Sequence, residues 1–336
     1  MNIKYLLPLC VAAMLAACSD DESSPTKVST TDTGSSSSVG VVLPPADGIS
    51  SSDAALAGDL SSSSVLAPAA NESSSSVAAI QTTDENGKLI ALDPSKDYTF
   101  YGAELTGKEQ FVYGRFEAKM KMAAISGTVS SMFLNYDLSW KKGEEPWNEI
   151  DIEILGKNQA QWQSNIITRE PDPSITGTTN SEQIHDFAFD ATQEFHLYAI
   201  VWTPEYVSWE IDSVEVRRDT LGMARGTHAD ADQVKFLTKP QSLRFNLWAS
   251  KTPSWTGPFT GFGLPIEQQL DYVRVYSYDE ATKGFTLLWQ DDFDGDALNK
   301  ERWSCGNWEM EQVRYRPKNV KVSDGLVHII MDYEAN

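Results

Sequence analysis

Four shortages mark this 336-residue sequence. Cysteine is scarce: three residues cannot build a disulfide framework. Positive charge is scarce as well, with 27 Lys and Arg against 48 Asp and Glu, a formal net charge of −21. Such a chain has nothing with which to neutralise a phosphate backbone, which excludes nucleic acid as a partner and argues against charge-driven binding to an anionic membrane. Beyond the first 20 positions no apolar run reaches the ~18 residues that read as a membrane-spanning helix. Histidine is limited to His185, His196, His228 and His328, scattered without metal-ligand spacing, and no EF-hand loop is present. No cofactor is expected for catalysis. Apolar residues, in contrast, make up 41% of the chain, enough for a full core, so wholesale disorder is excluded.

The composition divides the chain into three parts. Residues 1–17 have the form of a secretory signal, with Lys4 followed by the apolar stretch Tyr5–Ala17. The signal ends Leu15-Ala16-Ala17-Cys18, which resembles the lipobox of bacterial lipoproteins. That resemblance implies cleavage before Cys18, a lipid on its thiol, and a secreted, membrane-anchored protein. Ser19, rather than Asp, follows the cysteine, which favours the outer membrane or cell surface. Cys10 leaves with the signal, and Cys305 then stands alone. Residues 18–97 are rich in Ser, Ala, Thr, Pro and Asp, with serine blocks at 35–38, 61–64 and 73–76. Such low-complexity sequence buries no core and reads as a disordered linker.

Residues 98–336 change to period-two alternation. Phe116, Ala118 and Met120 alternate with Arg115, Glu117, Lys119 and Lys121, and Val207, Trp209 and Ile211 alternate with polar neighbours. Asp212-Ser213 and Asp324-Gly325 each sit between two such runs, as hairpin turns do. Long helical periodicity is absent. The prediction is an all-β sandwich of two antiparallel sheets in one domain.

One strand carries a chemical signal. In Trp147-Asn148-Glu149-Ile150-Asp151-Ile152-Glu153-Ile154 the three acids share one face and the three isoleucines the other. A solvated edge tolerates three like charges. In a cleft, burial and mutual repulsion would raise at least one pKa. A protonated carboxyl beside an ionised one is the pair that glycosidic cleavage requires. The buried isoleucine face favours a central strand over an edge. Gln161, Gln163 and Asn165 share one face of the next strand, and Arg244, Asn246 and Trp248 alternate with Leu243, Phe245 and Leu247. Amides that bond hydroxyls and indoles that stack on pyranose faces suit a sugar, although each aromatic could equally pack in a core. Phe133, Trp147, Trp255 and Trp308 could extend the stacking surface.

Glu149-Ile150-Asp151-Ile152-Glu153, with Trp147 two residues ahead, resembles the active-site motif of family-16 glycoside hydrolases, in the form found in the lichenase branch. Tyr113–Ala118, Ser126–Phe133, Asn165–Thr168, Trp202–Pro204, Leu243–Trp248 and Asp271–Tyr276 extend the resemblance over nearly all of residues 98–336. It implies a concanavalin A-like jelly roll and a retaining endo-β-glucanase acting on mixed-linkage β-1,3-1,4-glucan. Glu149 would be the nucleophile, Glu153 the acid/base and Asp151 a helper carboxylate. The substrate contacts implied are Phe133, Trp147, Gln163, Asn165, Arg244, Asn246, Trp248, Trp255 and Trp308, and Asp271 is the matching ligand for a structural calcium. The enzyme is expected to be a monomer whose partner is the polysaccharide. Leu288–Trp303 resembles the segment that opens most family members, yet here it follows the segment that usually ends the domain, so the chain resembles the circularly permuted lichenases. Two departures stand out. Leu134-Asn135 replaces the Leu-Tyr of the permuted lichenases, and Trp308–Tyr315 is closer to the laminarinase pattern. A β-1,3-glucanase, a transglycosylase of the same fold and a non-catalytic glycan-binding lipoprotein are the alternatives.

Overall fold

A computed structural model describes residues 81–83, 89–93, 95–175, 177–223 and 232–336. The signal segment, Cys18 and most of the Ser-rich segment lie outside the described residues. Two short strands, β1 (Gln81–Thr83) and β2 (Leu89–Ala91), pair as a small antiparallel hairpin inside the range read from sequence as linker.

The main body is built from β3 (Tyr98–Phe111), β4 (Gly114–Lys121), β5 (Thr128–Asn135), β6 (Trp147–Leu155), β7 (Gln161–Arg169), β8 (Thr179–Asn180), β9 (Gln183–Asp186), β10 (His196–Trp202), β11 (Tyr206–Ile211) and β12 (Val214–Thr220). It continues with the one-turn helix α1 (Gln233–Phe236), β13 (Gln241–Ala249), the one-turn helix α2 (Pro253–Thr256), β14 (Ile266–Asp279) and β15 (Gly284–Asp291). The last strands are β16 (Trp303–Cys305), β17 (Glu309–Met310), β18 (Val313–Tyr315), β19 (Val320–Ser323) and β20 (Leu326–Ala335). Among the described residues no helix is long and apolar enough to cross a membrane.

The strands form an antiparallel jelly-roll sandwich. One layer, the cleft sheet, runs β16-β3-β13-β5-β6-β7-β9. The other, the back sheet, runs β12-β11-β10-β4-β14-β20-β19, with β15 beside the far part of β14. Strand β20 leaves the back sheet to pair with the start of β3, so the two layers are continuous at that corner.

The alternation in the sequence becomes the division between core and surface. Ile150, Ile152 and Ile154 of β6 are fully buried, as are Phe116, Ala118 and Met120 of β4, Trp209 of β11 and Phe245 of β13. Together they form one apolar cluster between the sheets. Both expected hairpins occur. Asp212 and Ser213 have φ of 50° and 67°, and Asp324 and Gly325 have φ of 55° and 72°. Two successive positive φ values match the right-handed twist of the flanking strands. Register decides where chemistry can occur: with the isoleucines of β6 turned inward, Glu149, Asp151 and Glu153 must all face out of the cleft sheet.

Candidate functional site

The site is assembled around β6, which is pinned from behind. The Trp209 indole, on the back sheet, donates to the carbonyl oxygen of Asp151 at 2.9 Å. This bond crosses the core and fixes the middle of β6 against the other layer. On either side, β6 is held in register by β5, with Asn135 opposite Glu149 and Phe133 opposite Asp151, and by β7, with Asn165 opposite Asp151 and Gln163 opposite Glu153.

Each acid has a distinct environment. Glu149 Oε2 accepts from the Trp147 indole at 2.5 Å and from the Asn135 amide at 2.9 Å. Burial pushes its carboxyl up, while Trp147, Asp151, Asn135 and the charge of Arg244 oppose the shift. Glu149 is therefore the acid with the most support for a negative charge. Asp151 is buried, and its Oδ2 finds no partner among N–H and hydroxyl groups. It is pushed well up, first by burial and then by the charges of Glu149 and Glu153, and it is hydrogen-bonded to Glu149. A bond between two carboxyls needs a proton, and the directions put that proton on Asp151. Glu153 is pushed up to about 8 by burial and by the Glu149 charge, against a 2.8 Å hydrogen bond from the Gln163 amide. Along the row, Glu149 has the most donors opposing its upward shift, while Asp151 and Glu153 are pushed toward the protonated form.

The flanking residues reach this row through short chains of contacts. Gln163, which donates to Glu153, accepts from the Trp255 indole at 3.2 Å, and Trp255 packs on Trp248 with ring centroids 5.9 Å apart. Arg244 is held by Glu104 at 3.1 Å, Asp137 at 2.7 Å and the Ser242 hydroxyl at 3.0 Å. Its charge acts on Glu149 through space. Asn246 accepts from the Ser131 hydroxyl. Trp308 packs edge-on against Tyr315, and a Cβ added at Gly306 would crowd both rings and the Glu104 side chain. Trp147 is also covered by the Arg169 guanidinium, 5.2 Å from its ring centroid.

Several expectations change in detail. The side-chain oxygen of Asn165 accepts from the backbone N–H of Ser181, so that atom supports the neighbouring loop. Phe133 and Trp248 are mostly buried, 8% and 6% exposed, and offer little open stacking surface. The calcium implied at Asp271 is not shown by its surroundings. The Asp271 carboxylate pairs with the Lys119 ammonium at 2.7 Å, and no group of three or more His, Cys, Asp or Glu side chains converges on a metal position among the described residues. A cation is already in place there, and it is a lysine.

Sequence reasoning missed four participants: Asn135, Glu104, Asp137 and Ser131. Asn135 and Ser131 flank Phe133 at spacings of two, so the period of β5 places both on its cleft face. Asp137 lies beyond the end of β5, where the strand period gives no guidance. The aromatic one place along from Asn135 does not fill its position: Tyr136 is buried, its hydroxyl donates to Glu145 at 3.1 Å, and the Lys239 ammonium lies over its ring.

Comparison with known proteins is consistent with this geometry. A beta-glucanase from Fibrobacter succinogenes is 43% identical over 234 residues, 68% of this chain and 62% of that protein. A beta-glucanase from Acetivibrio thermocellus is 32% identical over 200 residues, 58% of this chain and 53% of that protein. The matched regions therefore span between half and two thirds of these relatives' own length. Among solved structures, Bacillus licheniformis beta-glucanase aligns at 27% identity with a TM-score of 0.37, over 47% of this chain and 64% of that one. The family model for glycosyl hydrolases family 16 matches residues 70–272, more than half of the chain and the whole of β6, and on that match this protein belongs to glycosyl hydrolases family 16.

Proposed function

We propose that the protein is a retaining endo-β-glucanase, with mixed-linkage β-1,3-1,4-glucan as its first substrate. The observation that carries this reading is the split of protonation along one strand face: Glu149 is supplied with N–H donors, and Glu153 keeps its proton up to about pH 8. Glu153 gives that proton to the glycosidic oxygen as the bond to the anomeric carbon breaks. Glu149 attacks the same carbon and forms a glycosyl ester. Glu153, now a carboxylate, then takes a proton from water, whose oxygen displaces Glu149 with a second inversion and net retention. Asp151 holds a proton against Glu149 and keeps three adjacent carboxyls from all ionising at once.

The test is reducing-end release from mixed-linkage glucan, laminarin, xyloglucan and carboxymethyl cellulose. Glu149→Ala should lose about 10⁴-fold or more in activity and, with azide and an activated aryl glycoside, should yield an azide product of inverted configuration. An active Glu149→Ala would overturn the assignment. Preference for laminarin would favour the β-1,3-glucanase reading, for which the laminarinase-like pattern of Trp308–Tyr315 is the supporting feature.

The circular permutation belongs to the same proposal. It is supported by the antiparallel register of Ala335 with Tyr98, and by a family match that stops at residue 272 while β16, β18 and β20 go on to pair with β3. The setting proposed is a lipid anchor at Cys18 and a Ser-rich tether carrying a monomeric domain at the outer membrane or cell surface. Mass spectrometry of the mature N-terminus tests the anchor, and cell fractionation tests the location.

A further inference from the structure

We propose that Asn135 is a positioning residue for the nucleophile: with Trp147 it clamps Oε2 of Glu149 and leaves Oε1 as the oxygen that bonds the sugar. This rests on the reading of Glu149 as nucleophile. Two N–H groups from different strands converge on the same oxygen, the Trp147 indole at 2.5 Å from within β6 and the Asn135 amide at 2.9 Å from β5. Among the described residues no N–H donor reaches Oε1, and the one further contact of the Glu149 carboxyl is its hydrogen bond with Asp151. Asn135 cannot easily swing away, because it ends β5 between two partners, opposite Glu149 on one side and Ser242 on the other. It also stands where the permuted lichenases carry an aromatic residue, so the position has exchanged a ring for a hydrogen-bond donor directed at the reacting carboxylate.

The chemistry of that exchange follows the charge on Glu149. When Oε1 bonds the anomeric carbon, the bond to the leaving oxygen breaks, that oxygen takes the proton of Glu153, and the charge on Glu149 disappears. When water attacks, the ester bond breaks, the water proton passes to Glu153, and the charge on Glu149 returns. A donor on Oε2 favours the charged form. It makes the carboxylate a slightly weaker nucleophile and a better leaving group, so Asn135 speeds breakdown of the glycosyl-enzyme at some cost to its formation. Other groups facing Glu149 are Asp151 and Glu153 on β6, Arg244 on β13 with its partners Glu104 and Asp137, and Arg169 of β7 across Trp147. None of these is altered in composition by a change at Asn135.

The experiment compares wild type, Asn135→Leu, Asn135→Ala and Glu149→Ala, each checked for folding by near-UV circular dichroism. Mixed-linkage glucan and an activated aryl glycoside are the substrates, over a full pH range. Loss of the donor should move the acidic limb of kcat/KM upward by up to about one pH unit. It should also lower kcat and KM together by a few-fold, as a slower second step lets the glycosyl-enzyme accumulate. Leu, which admits no water in place of the amide, should show the larger effect. Should it fail to fold, Ala carries the same test with a smaller shift. Folded Asn135 variants with the wild-type limb and wild-type kcat and KM, beside an inactive Glu149→Ala, would overturn this inference and leave the nucleophile intact. A wild type inactive on every glucan, or an active Glu149→Ala, would instead remove the reading beneath it.

Discussion

Strands β4 and β6 have nearly the same pattern and opposite fates. Each alternates apolar residues that enter the core with charged residues that face away from it. On β4 the charges are mixed in sign and find partners across the back sheet: Arg115 meets Glu117 at 3.1 Å and Glu210 at 2.8 Å, Glu117 meets Arg274 at 3.4 Å, and Lys119 meets Asp271 at 2.7 Å. On β6 all three acids have one sign, no cation touches any of them among the described residues, and their partners are neutral amides of the neighbouring strands and the Trp147 indole. The outer face of β4 is a set of closed pairs. The cleft face of β6 is a row of carboxyls that must share protons. Alternation alone makes a strand, and chemistry arises where counter-charges are withheld.

Three changes press on that contrast beyond Glu149 itself. The largest effect is expected at Glu153. Glu153→Gln should cost about 10²–10⁴-fold on glucan and far less on aryl glycosides with good leaving groups. In wild type the activity should fall as pH rises through about 8, where Glu153 loses its proton, and the variant should lack that limb on the activated substrate. Equal losses on both substrates would argue that Glu153 is not the acid.

Asp151→Asn should separate stability from activity. The Asp151 carboxyl is raised in the folded protein, so its contribution to stability is complete below the ordinary carboxylate range and is lost as pH rises through its folded value. Asn cannot ionise. The variant should therefore match wild type at low pH and exceed it in stability at pH 9, while hydrolysing glucan more slowly. Urea midpoints at the two pH values provide the check, and a variant less stable at pH 9 would contradict the raised state of Asp151.

The smallest effect belongs to the back sheet. Lys119→Ala breaks a well-exposed pair with Asp271 and should cost less than about 1 kcal/mol, with kcat unchanged. A loss of activity on added chelator in wild type would reopen the question of a cation at Asp271.

Much of this was legible in the sequence because period two is a strong code. The isoleucine face of β6, the inward faces of β4, β11 and β13, and the turns at Asp212-Ser213 and Asp324-Gly325 were all readable from it. That Glu149, Asp151 and Glu153 share one face, and Gln161, Gln163 and Asn165 one face of the next strand, was also readable, while the Gln163 bond to Glu153 needed the register of β6 with β7. What escaped reading depended on pairing between distant strands. Glu104 belongs to the site because β3 and β13 pair across about 140 positions of sequence, with Asn246 opposite Glu104 and Arg244 opposite Thr106. Asp137 reaches Arg244 from a turn. The calcium expected at Asp271 was carried by family likeness, and Lys119, adjacent across the register shift between β4 and β14, already meets that carboxylate.

The corner where β20 meets β3 also has a mechanical meaning. Ala335 lies opposite Tyr98, and the backbone N–H of Asn336 donates to the Asp97 carbonyl oxygen at 3.0 Å. A force drawing residues 97 and 336 apart acts across the open end of an antiparallel pair. It loads the ladder one bond at a time, like a zipper, and does not shear all its bonds together. The domain should therefore yield at low force when pulled between these two points, and resist more strongly when pulled between residue 97 and a point in β6, where the core and the Trp209 bond bear the load together.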